Sequence, residues 1–451
     1  MLTPLFERFV EKAPVSVMVR GLLERCMGAL ALNKIYEHAS DRQYTNTLLF
    51  SSVFELMNLV VCKIQPSIHA AYQDRQQEIG TSITSVYNKL NGIETSTSRA
   101  LVVETAQELA QFVRQLKGSC PAWLPGYKVK VLDGNCIEAS EHRLEVLRHT
   151  SSGALPGKSL VIYEPELEMA TEVFPCEDGH AQERSLLGEV SETVEARDVF
   201  IMDRNFCVQD FLDRLAQRKA FYICRQHKGL PWKAESKERL VGRVEGTRIY
   251  EQWVRISNRQ GDTRKVRRIR IVLKKATRDG EKELTILTNL SKTVAPAKLI
   301  AELYRKRWCI ETAFQELEAH LHSEINTLGY PKAALFGFCV ALMAYNALAV
   351  VKAALRSVHG VDKVSNEISG YYLAGHLART HEGMMIAIPD QEWMIFSVMS
   401  DEAFTQTLRS LAEKVSLLKF KKHKRGVKKP LTKRTQNLNQ PHVSTARLIA
   451  P

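Results

Sequence analysis

Three acidic residues far apart in the chain, Asp133, Asp203 and Glu311, stand where their types could do chemistry. Asp133 follows the apolar run YKVKVL, Asp203 follows VFIM, and Glu311 lies in the helical stretch KLIAELYRKRWCIETAFQELEAHL. The ends of strands are places where side chains from distant segments converge. Two aspartates and a glutamate are an oxygen-only ligand set, suited to hard divalent cations. Two Mg²⁺ ions held roughly 4 Å apart can activate a water or a 3′-hydroxyl and support the leaving oxygen of an in-line phosphoryl transfer. A strand-terminal Asp is also a common turn former, and the chain has fifty carboxylate side chains. The acids by themselves leave both readings open.

The surroundings of Glu311 narrow the choice. Tyr304, Arg307, Glu311 and Glu318 follow one another at offsets of three, four and seven, which places them on one helical face. An aromatic hydroxyl, a fork-shaped guanidinium and a carboxylate on one face offer a surface, a phosphate donor and a metal ligand. An Arg307–Glu311 pair is equally what a solvated amphipathic helix would contain.

The charge distribution points to a polyanion. The net charge is +13, and it is concentrated. Residues 225–283 hold eighteen basic and eight acidic residues, and Lys419–Arg434 (KFKKHKRGVKKPLTKR) holds nine basic and none acidic. Two basic blocks on an otherwise mildly acidic chain suit nucleic acid. Within the first block Arg264, Arg267, Arg268 and Arg270 crowd together in TRKVRRIRIVLKK, with Arg268 and Arg270 on one strand face, able to follow a phosphate backbone. Trp232 or Trp253 could stack on an unpaired base or pack in a core.

The elements that would position these groups read as an α/β chain with insertions. Residues 1–118 show helical spacing of apolar residues, and GTSITSVYNKLNGIETSTSRAL within them reads as a helix-turn-helix DNA reader or as plain helical packing. Residues 119–224 alternate strand and helix patterns: YKVKVLDGN, LVIYEPEL, MATEVFPC, QERSLLGEVSETV, DVFIMDRNF, FLDRLAQRKA and FYICRQ. Residues 225–290 are β-patterned and basic, and residues 291–360 return to helix. Residues 361–418 are expected to be helical and 419–451 to be a disordered basic tail. The uncharged run Ala333–Val351 approaches the length of a membrane span, but Tyr345, Asn346 and its small residues favour a helix buried in protein.

The order and content of these motifs resemble the bacterial insertion-sequence DDE transposases, in the branch with the signature Tyr-x2-Arg-x3-Glu-x6-Lys. Tyr304, Arg307 and Glu311 match it, VLDGN around Asp133 and MDRNF around Asp203 resemble the two Asp motifs, and the β segment lies where that branch has its insertion. The resemblance spans about residues 30 to 355. It implies a ribonuclease H-like core, Mg²⁺ (replaceable by Mn²⁺) held by Asp133, Asp203 and Glu311, and cut-and-paste transposition at terminal inverted repeats. Asp133 would bridge two ions, Tyr304 and Arg307 would grip the cleaved end, and a homodimer would act on paired ends and target DNA. One position departs: Glu318 stands where the family has Lys. A carboxylate there repels phosphate, so the runner-up is a weakened relative that binds transposon ends without cutting them.

Other chemistries find little support. The nine cysteines are scattered without a Cys-x-x-Cys pair, which argues against a disulfide framework or structural zinc. His142, His180, His320 and His322 show no metal-ligand spacing, and Cys136, Cys207 and Cys309 read as core filling. No glycine-rich phosphate loop suggests ATP use. The first residues alternate apolar and charged side chains, unlike a secretory signal, so a cytoplasmic, nucleoid-associated protein is expected.

Overall fold

A computed structural model describes residues 2–41, 47–244, 246–257, 261, 263–277, 280–423 and 441–450. Its centre is a mixed sheet assembled from strands distant in sequence. In chain order the strands are β1 (Lys128–Cys136), β2 (Gly153–Leu155), β3 (Lys158–Glu164), β4 (Met169–Cys176), β5 (Asp198–Met202), β6 (Phe221–Arg225), β7 (Trp232–Ala234), β8 (Arg239–Val244), β9 (Thr247–Ser257), β10 (Thr263–Val272), β11 (Glu283–Thr288) and β12 (His442–Ser444). The main sheet runs β4-β3-β1-β5-β6-β11-β10-β9-β7, with β8 also on β9. β1, β3 and β4 are antiparallel neighbours, whereas β5 and β6 run parallel to β1.

The alternation of side chains along the strands sorts the core into two. Leu132, Phe200, Met202 and Tyr222 fill a smaller core beneath the helix Gln209–Gln217, while Val131, Val199, Ile201 and Ile223 join a larger one on the opposite face. That period of two decides which face each catalytic candidate takes. The basic β segment is not a separate body. β11 pairs antiparallel with β6, so β7–β11 lengthen the central sheet.

The helical N-terminal region shares the larger core rather than standing apart from it. Phe50, Leu101, Val113, Val131 and Phe336 belong to one continuous apolar cluster. In the segment read as a possible helix-turn-helix, Ser82 caps the helix Ile83–Gly92, and the following helix Thr95–Gln115 buries Leu101, Val102, Leu109, Phe112 and Val113. That second helix is committed to packing against the long helix Pro331–His359 and β4. The C-terminal region is helical over Val361–Glu367, Gly370–Ala387 and Asp401–Glu413.

The basic tail divides. Residues 424–440, most of its charge, lie outside the described residues. Beyond them the chain is ordered: β12 pairs parallel with β2, and Arg447 bonds Asp178 at 2.8 Å. An ordered end differs from the expected disorder, because a short strand finds a partner edge for its backbone groups.

Pro331–His359 is long and apolar enough to cross a membrane, and its apolar window is wholly buried within the fold. Its one amide has a specific task. Asn346 is fully buried; its Oδ1 accepts from the Ala170 N–H at 2.9 Å and its Nδ2 donates to the Ala170 carbonyl at 2.7 Å. Ala170 lies on β4, the sheet edge, whose outward backbone groups would otherwise be buried unpaired. Asn346→Ala is therefore expected to lower stability by about 2–3 kcal/mol, from two orphaned backbone groups, as read from the urea midpoint. A midpoint like that of wild type would mean the edge is satisfied some other way.

Candidate active site

Register brings the two aspartates together. β1 and β5 are parallel neighbours with Leu132 opposite Met202, so the next residue of each strand is Asp133 and Asp203. Adjacent strands lie about 4.8 Å apart. Both aspartates fall on the face of Val131 and Ile201, where the later helices pack. β1 does not stop at Asp133 as the apolar pattern suggests; it continues to Cys136 along β3, while β5 turns away after Met202. Asp133 thus sits where one neighbour strand leaves the sheet and opens space beside it.

The Glu311 stretch is two helices, Ala297–Arg305 and Cys309–His320, joined by one 3-10 turn, Lys306–Trp308. The tighter turn brings residues three apart into line, so Tyr304 and Arg307 still reach the same side. Tyr304 donates its hydroxyl to Asp203 Oδ1 at 3.3 Å. Arg307 donates Nη1 to Asp133 Oδ2 at 2.6 Å and Nη2 to Glu311 Oε1 at 2.7 Å. Two sets of contacts therefore gather the acids: Tyr304 holds Asp203, and Arg307 links Asp133 to Glu311. From the far side, Lys352 of the long helix reaches Glu316 at 4.0 Å, tying the Glu311 helix to the core.

Electrostatically the pocket is under-neutralised. Asp133 is raised from 3.8 to about 6: burial opposes its charge, Arg307 and the Gly134 N–H favour it, and Glu311 and Glu183 add repulsion. Burial likewise pushes Tyr304 up, reinforced by Asp203. Arg307 is buried, yet the carboxylate of Asp133, with smaller help from Glu311, holds its guanidinium above the ordinary value. Arg307 Nε is buried without a hydrogen-bond partner among the described residues.

The donor chemistry fits divalent cations. Three carboxylates converge, and the charge of Asp133 stays disfavoured even beside a guanidinium, so the pocket has room for more positive charge. Among the described residues no three such side chains already lie close enough to share an ion, and Arg307 bonds both Asp133 and Glu311.

Several neighbours give no signal in the sequence. Glu183 lies against Gly134, where a Cβ would come within 2.1 Å of its carboxylate oxygen, and it accepts a hydrogen bond from Asn205. Arg184 donates to the Asn205 carbonyl at 2.7 Å, fastening the turn after Asp203. Arg225 approaches Asp203 at 3.8 Å. Trp308 is 60% exposed beside Arg307. Glu318 lines a cleft with Lys63, whose Nζ donates to the Ala319 carbonyl at 2.8 Å.

The arginine cluster on β10 needs correction at one position. Arg267 is fully buried, bonded to Glu251 at 2.7 Å and to the carbonyls of Leu290 and Ala295 at 2.8 Å each. It is a core ion pair and cannot meet DNA, because strand alternation turns it inward. Arg268 and Arg270 share the opposite face as expected and both reach Glu238; Arg264 pairs with Asp213 at 2.7 Å. That face is turned away from Asp133 and Asp203. Trp232 lies under Arg268 and Trp253 under Lys265.

Two outcomes follow from these charges. Arg267→Ala is expected to cost about 3 kcal/mol, because the Leu290 and Ala295 carbonyls lose a buried donor and Glu251 is left to Lys292 at 2.8 Å, seen as a lowered denaturation midpoint; a surface role would leave the midpoint unchanged. For Asp133, whose side chain is 17% exposed, a raised folded pKa means its stabilising contribution is complete below about 3.8 and lost as pH rises through about 6. With chelator present, Asp133→Asn should therefore exceed wild type in stability near pH 8 by on the order of 2–3 kcal/mol, and the advantage should fade toward pH 4. Equal melting at both pH values would contradict this.

Comparison with known proteins points to transposases. Residues 129–347 match the family model described as "Transposase DDE domain", a span containing all three acids. A Sinorhizobium fredii (strain NBRC 101917 / NGR234) protein named "Putative transposase y4zB" is 27% identical over 174 residues. The alignment covers 38% of this chain and 47% of that protein, so the chain spans about half the length of the curated relative it matches. A cryo-EM structure of a piggyBac transposase synaptic complex with hairpin DNA aligns over 85% of this chain and 82% of that one, at a TM-score of 0.37 and 9% identity. At those values the alignment carries no argument.

Proposed function

We propose that this chain, whose residues 129–347 match the transposase DDE domain model, cuts and joins insertion-sequence ends by phosphoryl transfer. The observation that carries the reading is the Arg307 guanidinium shared between Asp133 and Glu311, with Tyr304 on Asp203. Three acids from two strands and a helix are gathered on one face with a phosphate-binding group among them. The order β4-β3-β1-β5-β6, three antiparallel strands continued by two parallel to β1, supports a ribonuclease H-like core.

Asp133, Asp203 and Glu311 are the residues that would hold Mg²⁺ or Mn²⁺. When bound, such ions activate the attacking oxygen and stabilise charge on the transferring phosphoryl group. The chain's own groups do the rest. Arg307 has one unpartnered, buried donor and two more on carboxylates, and its fork would suit the non-bridging oxygens of the scissile phosphate. Tyr304 holds a proton on its oxygen and can orient Asp203 or the strand end by hydrogen bonding. The partner is double-stranded DNA carrying terminal inverted repeats, then target DNA, and a homodimer on two paired ends suits coordinated cutting.

The second reading, an end-binding relative that does not cut, rests on Glu318, a carboxylate two turns along the Glu311 helix. One experiment separates the two. Duplex DNA flanking the protein's own gene should be nicked in Mg²⁺ or Mn²⁺. Asp133→Asn, Asp203→Asn and Glu311→Gln should bind but not cut. Arg307→Ala should slow cleavage by roughly 10²-fold, the scale of losing one preorganised charge donor. Binding without any cleavage by wild type would favour the second reading; full cleavage by Asp133→Asn would overturn the first.

A further inference from the structure

Beside Asp203, away from Arg307, lies a second cationic pair that none of the assigned roles uses. Arg204 directly follows Asp203, and Arg225 ends β6 next to β5. Both guanidiniums converge on one carboxylate, that of Glu281, just ahead of β11. Arg204 Nη1 reaches Glu281 Oε1 at 3.0 Å, and Arg225 Nη2 takes the other oxygen, Oε2. Arg225 Nη1 also faces Asp203 Oδ1 at 3.8 Å.

We propose that Arg204 and Arg225 form a seat for a backbone phosphate of the DNA end, and that Glu281 fills this seat in the DNA-free protein. The inference rests on the transposase reading above and extends its substrate contacts. A carboxylate offering one oxygen to each of two guanidiniums has the shape of the two non-bridging oxygens of a phosphodiester. The position suits it: one arginine spans from the seat to a proposed metal ligand, so a phosphate there lies one step along the strand from the reacting centre. The exposure suits it as well. The Arg204 side chain is 44% exposed and Glu281 25%, so the pair is an edge contact that DNA can replace, unlike the enclosed Arg267–Glu251 pair. Glu281 then lowers the affinity of the free protein for unrelated polyanions, because any phosphate must displace a bound carboxylate.

The test uses the full chain and a fluorescent duplex of the DNA flanking its own gene, titrated across a range of salt concentrations. Glu281→Gln should tighten binding, because no carboxylate has to be displaced from the seat, and the phosphate contact with its share of the dependence of log K on log salt is kept. Arg204→Gln should weaken binding and flatten that dependence by about one, and the gain from Glu281→Gln should shrink in the double variant. Thermal melting checks that each variant folds; should Glu281→Gln prove unstable, Arg204→Gln alone decides. Slopes unchanged in Arg204→Gln, or a Glu281→Gln gain that survives intact without Arg204, would overturn the seat. Cleavage of the same duplex by wild type in Mg²⁺ separates the two levels. If wild type cuts while the slopes stay put, only the seat is lost. If wild type neither binds nor cuts, the transposase reading falls first.

Discussion

A guanidinium lodged between two carboxylates governs this site. Arg307 satisfies Asp133 and Glu311 at once, and in doing so makes a cluster of buried acids tolerable without a cation. The compensation is incomplete, since one positive charge serves two carboxylates and burial still raises Asp133 to about 6. A pocket in that state is poised for additional positive charge. Arg307 unites two properties in one side chain: it offsets the charge of both acids, and its planar fork has the donor geometry that suits a phosphate.

The same device recurs on the other flank, where Glu281 occupies Arg204 and Arg225. Acid–arginine pairing is also the rule across the basic β segment. Arg255 pairs with Glu235, Arg267 with Glu251, and Arg268 and Arg270 with Glu238. Net positive charge in the sequence therefore overstates the positive surface that the folded chain presents. Some arginines are structural, and Arg267 is the extreme case, joining β9, β10 and the chain after β11 through one ion pair and two carbonyls.

Rigidity comes from behind the site. The helix Pro331–His359 is enclosed by the N-terminal helices, β4 and the C-terminal helices, and it anchors both sides of the pocket. Asn346 fastens the edge strand, and Lys352 reaches the Glu311 helix through Glu316. Gly118 lets Arg356 close against the loop before β1: a Cβ there would meet the Ala353 carbonyl at 2.2 Å, and Arg356 Nε donates to the Gly118 carbonyl at 2.6 Å. A carboxylate cluster needs such a frame, because like charges brought together push their supporting elements apart.

Local patterning in the sequence was enough to find the strands before Asp133 and Asp203, the helical character of the stretch around Arg307 and the buried nature of Ala333–Val351, though not the 3-10 turn that divides that stretch. These depend on short-range periodicity, which is written residue by residue. Three motifs in order also carried the resemblance to DDE transposases, whose domain model matches residues 129–347. What tertiary structure decided was pairing and facing. Only the register of β1 against β5 sets Asp133 beside Asp203, and only strand alternation in the assembled sheet sends Arg267 inward while Arg268 and Arg270 face the other way. The partners of Arg204 and Arg225 were invisible for the same reason: Glu281 lies 77 residues from Arg204 and 56 from Arg225, and a charge has no periodicity that reveals which opposite charge the fold will carry to it.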